Sequence, residues 1–250
     1  MLNVSSYLAR IGYTGPTIPK ADTLRAIHRA HLLTVPFENL DIARATKIVC
    51  EEDAFLRKIV DRHRGGFCYE LNGAFAALLR GLGFEVTLLS ARVPREDGTE
   101  TPEFDHMTLR VDLDEPWLAD VGFGDCFLEP LRLQTHAEQL QDGQKFRIRE
   151  EGKSCHVERA QPDGSWKGEY TFSLISRRLE EFAPMCHYHQ TSPESPFTRK
   201  RICSRATREG RITLADRKLI ITRLGNREEK VLESEEEWQA PLQKYFQIVL

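Results

Sequence analysis

The sequence contains no long hydrophobic run. Its longest strictly apolar stretch, residues 74–79, has six residues, whereas a membrane-spanning helix needs about 20. The first residues include neither a basic segment nor an uninterrupted apolar one, so no secretory signal is apparent. We therefore expect a cytoplasmic protein that neither crosses nor binds a membrane.

Paired cysteines and an excess of one charge are also absent. The six cysteines include no C-x-x-C pair, and a chain of 250 residues can build a core without disulfides, so we expect reduced thiols. The 35 Lys and Arg residues nearly balance the 38 Asp and Glu residues, which gives a net charge of -3. This balance provides no bulk electrostatic attraction to nucleic acid or to anionic lipid.

Hydrophobic periodicity changes twice along the chain. Up to about residue 83, apolar residues recur at three- and four-residue steps, which predicts helices. Alternating patterns then predict the strands of an antiparallel sheet or barrel at 85–93, 107–113, 117–121 and 146–149, with turns at 151–153 and 162–164. The last part mixes helical patterns at 177–189 and after a capping box at 234–237 with strand patterns at 211–215 and 218–224. This order of elements predicts an α+β fold.

The strongest local signal is the segment R-G-G-F-C-Y-E-L-N at 64–72, where two glycines precede a cysteine at the start of a predicted helix. Cys68 would then lie at the positive end of the helix. The unpaired N–H groups of that end stabilise a thiolate and lower the pKa of a thiol. The pattern favours a reactive nucleophile, and the alternative is a buried small residue after an ordinary loop.

A nucleophilic cysteine needs a base and a group that orients the base. Alternation in the strand predicted at 107–113 puts its apolar residues on one face, so His106 points to the opposite, more polar face. Asp120 lies in an apolar strand before a glycine-flanked turn, where an aspartate is disfavoured unless it has a partner. The spacing between His106 and Asp120 fits two neighbouring strands. Cys68, His106 and Asp120 are therefore the candidate catalytic residues.

With these motifs the sequence resembles the arylamine N-acetyltransferases. The segment at 64–72 resembles the family's nucleophile motif, D-H-M-T-L at 105–109 its histidine motif, and D-V-G-F-G at 120–124 its aspartate motif. P-F-E-N-L-D at 36–41 and Y-H-Q-T-S-P at 188–193 are further matches in the same order. The resemblance implies that Cys68 is the acylated nucleophile and that His106 and Asp120 complete its triad.

The resemblance also implies a fold, a reaction and further site residues. The expected parts are an N-terminal helical bundle (1–84), a central antiparallel β-barrel (85–190) and a C-terminal α/β lid (191–250). The expected reaction is a ping-pong transfer from acetyl-CoA to arylamines, arylhydrazines or N-hydroxyarylamines, without a metal. The expected substrate contacts are Phe37, Phe104 and Phe123, and the expected CoA contacts are Gly124, Tyr188 and Thr191.

Other functions stay open on the residues alone. The same triad serves a cysteine hydrolase or a transglutaminase-like acyl transferase, and a non-catalytic binding protein would carry Cys68 as a structural residue. Cys186, His187 and His189 are close in sequence, but no second pair of ligands completes a zinc site. His28 lies near the apolar face of a predicted helix, where we expect a core or interface residue.

Overall fold

The N-terminal third of the structure, a computed structural model that describes residues 2–134 and 137–250, is helical. Its helices are α1 (Val4–Arg10), α2 (Ala21–Thr34), α3 (Leu40–Ala43), α4 (Glu52–Leu56), which continues as a π-helical segment (Arg57–Asp61), and α5 (Cys68–Gly81). A two-residue strand, β1 (Phe37–Glu38), lies between α2 and α3. From Cys68 to Leu79, α5 is buried without interruption, because the other helices and the first strands of the barrel surround it.

The middle of the chain forms an eight-stranded antiparallel sheet. Its strands are β2 (Glu85–Arg92), β3 (His106–Asp112), β4 (Pro116–Ala119), β5 (Leu131–Arg132), β6 (Gln139–Gln141), β7 (Gln144–Glu151), β8 (Ser154–Ala160) and β9 (Trp166–Ser173). Their order is β5-β4-β3-β2-β9-β8-β7-β6. Met107, Leu109 and Val111 of β3 join the helical core, as the alternation predicts.

Two glutamine side chains bring the edge strands of this sheet together. The Gln139 amide accepts from the N–H of Arg132 at 2.8 Å and donates to its carbonyl at 3.1 Å. The Gln141 amide accepts from the N–H of Glu129 at 2.9 Å and donates to its carbonyl at 2.7 Å. Each amide thus supplies the donor and the acceptor that a neighbouring strand would offer. The sheet becomes a nearly closed barrel although its two outer strands do not form a backbone ladder.

The C-terminal part carries a second antiparallel sheet. After a 3₁₀ turn (Leu179–Phe182), α6 (Ala183–Thr191) and α7 (Pro196–Arg199) come β10 (Ile202–Thr207), β11 (Gly210–Ala215), β12 (Lys218–Arg223), β13 (Asn226–Val231) and α8 (Glu235–Phe246). The strand order is β1-β10-β11-β12-β13, with Phe37 opposite Ser204 and Glu38 opposite Cys203. A segment of the N-terminal third is thereby built into the C-terminal sheet.

The predicted α+β class is confirmed, whereas the division at residues 84 and 190 stays a prediction. The helical pattern predicted at 177–189 corresponds to the 3₁₀ turn followed by α6, which ends at Thr191. Within residues 2–134 and 137–250, no helix combines the length and the apolar composition that crossing a membrane requires.

Candidate active site

Two glycines precede Cys68 in the loop before α5, and neither position has room for a side chain. A Cβ on Gly65 would collide with the carbonyl of Pro36, and one on Gly66 would lie 2.6 Å from Cβ of Glu70. The Glu70 carboxylate accepts from the N–H of Phe67 at 3.2 Å, which caps the first turn of the helix. Cys68 is the first residue of α5, as the motif predicts, and it is buried.

A buried cluster of charges holds this loop from behind. The Lys58 ammonium lies 2.9 Å from Glu70 and 2.8 Å from Asp41, and the Arg64 guanidinium lies 2.8 Å from Glu38 and 3.0 Å from Asp41. Three carboxylates thus share two cations. Burial, with the charge of Glu38 acting in the same direction and Lys58 against it, raises the pKa of Glu70 to about 7.

The strands bring His106 and Asp120 together as their spacing predicts. His106 begins β3 and Asp120 follows β4, and the two strands pair antiparallel. Nε2 of His106 lies 2.6 Å from Oδ2 of Asp120. Because Asp120 occupies Nε2, only Nδ1 of the imidazole is left to exchange a proton with another group.

Polar groups around Asp120 keep it ionised in a buried position. Burial opposes ionisation, but His106, the amide of Asn72 at 2.9 Å and the N–H of Gly122 at 2.9 Å hold the pKa of Asp120 below its usual value. Asn72 also accepts from the N–H of Val121 at 2.9 Å. A Cβ on Gly122 would lie 2.6 Å from Nδ2 of Asn72 and 2.8 Å from Cα of Cys68, so only glycine lets this loop approach α5.

His28 supports the backbone of Asp120 from the opposite side. Its Nε2 accepts from the N–H of Asp120 at 3.1 Å, and its Nδ1 donates to the carbonyl of Leu128 at 2.9 Å. These partners fix one neutral tautomer, and burial lowers the pKa of His28 to about 4. The core position expected for His28 is thus also a contact with the candidate triad.

The helix end does not by itself ionise Cys68. Burial raises the pKa of the Cys68 thiol, and the charges of Asp105 and Asp120 act in the same direction. The N–H groups of Met107 and Tyr69 oppose this shift by donating to the sulfur. Burial thus opposes the lowering of the Cys68 pKa that the helix end predicts, because desolvation disfavours the thiolate. A thiolate at this position needs a proton acceptor.

A cavity of about 630 Å³ connects the predicted catalytic and substrate residues. Cys68 and His106 line it, and the sulfur of Cys68 lies 4.0 Å from the carbonyl of Asp105, the residue before His106. Phe37 and Phe123, which are expected to contact the aromatic substrate, and Tyr188, which is expected to contact CoA, also line the cavity. Its walls thus combine aromatic rings with the reactive side chains.

Three other expected contacts lie outside this lining. The Phe104 ring packs against the buried ring of Phe182, with centroids 5.1 Å apart. Gly124 lies behind the ring of Phe37 with a positive φ of 95°. The Thr191 hydroxyl donates to the carbonyl of His187 on its own helix at 2.9 Å. Contacts of these three residues with substrate or CoA stay predictions.

Comparisons with known proteins identify the family. A family model described as N-acetyltransferase matches residues 20–250. The arylamine N-acetyltransferase of Mycolicibacterium smegmatis is 36% identical over 231 residues, which cover 90% of this chain and 84% of the relative. The chain belongs to the arylamine N-acetyltransferase family.

Two enterobacterial members of the arylamine N-acetyltransferase family are similarly related. The Escherichia coli K12 enzyme is 33% identical and covers 85% of this chain and 76% of the relative. The Salmonella typhimurium relative is named arylamine N-acetyltransferase / N-hydroxyarylamine O-acetyltransferase. It is 33% identical over an alignment that covers 84% of this chain and 76% of the relative. This family member is therefore an enzyme.

Solved structures of the arylamine N-acetyltransferase family share its fold. The M. smegmatis enzyme superposes with a TM-score of 0.92 at 32% identity and covers 100% of this chain and 93% of that chain. The Mycobacterium marinum enzyme in complex with CoA superposes with a TM-score of 0.90 at 31% identity. The alignment covers 98% of this chain and 93% of that chain. The expected α+β architecture of this arylamine N-acetyltransferase is thus confirmed.

Sequence reasoning misses several polar residues around the site of this arylamine N-acetyltransferase. Asn72 lies four residues after Cys68, so one helical turn puts both on the same face, and this spacing could have revealed it. His28 has no comparable signal, because its partner is a backbone group 92 residues away. Asp105 and His189 both line the cavity, but Asp105 lies in the loop before β3 and His189 lies in α6.

Proposed function

We propose that the protein transfers an acetyl group from acetyl-CoA to aromatic amines, hydrazines or N-hydroxyarylamines through an acetyl-Cys68 thioester. The observation that supports this most directly is that His106, which is bonded to Asp120, lines the same aromatic-walled cavity as Cys68. Family membership supports the choice of acetyl transfer over the hydrolase and transglutaminase-like alternatives.

Formation of the thiolate is the first step of the proposed mechanism. Because burial disfavours an isolated thiolate at Cys68, its proton passes to Nδ1 of His106. Asp120 bonds Nε2 of the same ring, fixes the tautomer and stabilises the imidazolium that results. The ion pair of thiolate and imidazolium then offsets the desolvation that raises the pKa of the thiol.

Acylation follows at the thioester of acetyl-CoA. The sulfur of Cys68 attacks the acetyl carbonyl, and backbone N–H groups near the start of α5 stabilise the oxyanion. The tetrahedral intermediate collapses with loss of CoA, whose thiolate takes the proton from His106. The products of this half-reaction are acetyl-Cys68 and free CoA.

The second half-reaction regenerates the cysteine. An arylamine is uncharged near neutral pH, so its nitrogen attacks the thioester directly and His106 removes a proton as the intermediate collapses. Cys68 leaves as a thiolate and the N-acetylated amine is released. The rings of Phe37 and Phe123 flank a flat aromatic acceptor in this step.

Intact-mass spectrometry after incubation with acetyl-CoA alone tests the proposal. We expect the mass of one acetyl group to appear on Cys68 before any amine is added. Cys68→Ala should abolish this adduct, whereas Cys155→Ala in the barrel should retain it. With both substrates varied, double-reciprocal plots should be parallel. Acetylation that persists without Cys68, or intersecting plots, would contradict the proposed mechanism.

A further inference from the structure

Asp105 places a second carboxylate at the cavity, apart from the triad. Its side chain is 14% exposed and lines the cavity beside Cys68. Nε2 of His189 lies 3.2 Å from Oδ1 of Asp105. Among the described residues, His189 is the only basic side chain within 4.0 Å of this carboxylate. Asp105 thus faces the cavity without a lysine or arginine to neutralise it.

His189 lies against Asp105 without a hydrogen bond to it. The N–H of Phe197 donates to Oγ of Ser195 at 3.2 Å, and Nδ1 of His189 lies 3.1 Å from the same hydroxyl. Nε2 of His189 lies 3.2 Å from Asp105 but has no hydrogen-bond partner among the described residues. The His189 side chain is 2% exposed and that of Asp105 14%, so the carboxylate is the more accessible of the two groups.

The apolar side chains of the cavity wall strengthen the effect of the Asp105 carboxylate on a bound substrate. The rings of Phe37, Phe123 and Phe197 line the cavity, as does Met185, and these apolar side chains exclude water around a bound aromatic ring. Arg95 and Glu194 also line it, and they carry opposite charges. In such surroundings a carboxylate attracts a cation or a hydrogen-bond donor and repels another carboxylate.

We propose that Asp105 selects aromatic acceptors with a cationic or hydrogen-bond-donating substituent over acceptors with a carboxylate. The inference rests on the proposed function, because it names the class of acceptor for the same cavity. In the ping-pong scheme CoA leaves before the amine binds, so this preference belongs to the second half-reaction alone. It can therefore be measured on preformed acetyl-enzyme.

A series of acceptors of equal shape tests this selection. The 3- and 4-aminobenzamidines carry a positive group, the aminobenzamides a neutral one and the aminobenzoates a negative one, all trigonal and planar. The rate at which each amine deacetylates preformed acetyl-Cys68 enzyme is divided by its rate with an activated acetyl ester in solution. We expect the order amidine, amide, carboxylate, and the reverse order would overturn the proposal.

A variant assigns the preference to Asp105. Asp105→Asn keeps the shape of the side chain, and we expect it to lower the amidine-to-carboxylate ratio about tenfold. Glu103→Gln, which removes a carboxylate two residues away and outside the lining of this cavity, is the matched control and should leave the ratio unchanged.

The outcomes separate this proposal from the proposed function. If acetyl-Cys68 forms but the ratio is the same in the wild type and in Asp105→Asn, the role of Asp105 is wrong and acetyl transfer stands. If acetyl-CoA never acetylates Cys68, the proposed function fails and the acceptor class fails with it. The order of rates in the wild type decides the question even if a variant does not fold.

Discussion

Asp120 controls which nitrogen of His106 carries a proton. The carboxylate accepts from Nε2, so Nδ1 can take the proton of Cys68. An amide at position 120 would present a donor to Nε2 and favour the opposite tautomer. Nothing in this exchange changes the size of the side chain, so the chemistry can be altered while the packing is kept.

We therefore expect Asp120→Asn to reduce turnover by roughly 10³- to 10⁴-fold, as the loss of the correct tautomer does in a serine triad. Steady-state rates with an arylamine and acetyl-CoA measure the loss, and far-ultraviolet circular dichroism shows whether the fold is kept. Asp112→Asn on β3, which removes a half-buried carboxylate outside the cavity, is the matched control. Near-normal turnover of Asp120→Asn would make Asp120 a structural residue.

The candidate catalytic side chains could be singled out from the sequence, but the residues that support them could not. Cys68, His106 and Asp120 belong to local motifs with distinct glycine and strand patterns. The contacts of His28 with Asp120 and of His189 with Asp105 join residues far apart in the chain, and only the tertiary fold brings them together. The ionisation of Cys68 depends on the same burial, so its direction could not be inferred from the helix end.

The strands show where hydrophobic alternation is informative. The segment predicted at 85–93 extends one residue beyond the end of β2, and the segment predicted at 107–113 is shifted by one residue from β3 at both ends. The turns at 151–153 and 162–164 lie between β7, β8 and β9 as expected, but β8 and β9 mix charged with apolar residues and so could not be delimited. β13 (N-R-E-E-K-V) is exposed along its length and has no apolar face to signal a strand.

Closure of the barrel depends on the glutamines of β6. Gln141 satisfies the N–H groups of Leu128 and Glu129 and the carbonyl of Glu129. We expect Gln141→Ala to lower the free energy of unfolding by about 1–3 kcal/mol, because these partly buried backbone groups would lose their partner. Urea denaturation measures the change. The exposed Gln144, in the same hairpin, gives the control variant Gln144→Ala, and equal losses in both variants would contradict this role.

Two buried groups give the stability of the whole molecule opposing pH dependences. The pKa of His28 is lowered to about 4 in the folded protein. As the pH falls below about 6.5, the unfolded chain binds a proton at this position before the folded protein does, so the free energy of unfolding decreases down to about pH 4. The pKa of Glu70 is raised to about 7, so the folded protein takes up the proton and stability is gained between pH 7 and about 4.5. Each pKa shift changes the free energy of unfolding by about 3 kcal/mol across its pH range.

Glu70→Gln should therefore make the protein more sensitive to acid. The variant keeps an oxygen for the N–H of Phe67 but cannot take up a proton, so the loss due to His28 is no longer offset. Melting temperatures between pH 7 and 4.5 should fall more steeply in the variant than in the wild type. Parallel pH profiles would contradict the assigned shift of Glu70.

The pairing of β1 with β10 also affects the order of events during synthesis. Phe37, a wall of the cavity, meets its partner Ser204 only after more than 160 further residues have been made, and such distant contacts form slowly. Until β10 leaves the ribosome, the backbone partner of the strand that carries Phe37 is the isolated bridge to Gly66. A nascent chain that stops before residue 202 therefore cannot close this wall, and acquisition of the finished pocket is a late step in its biogenesis.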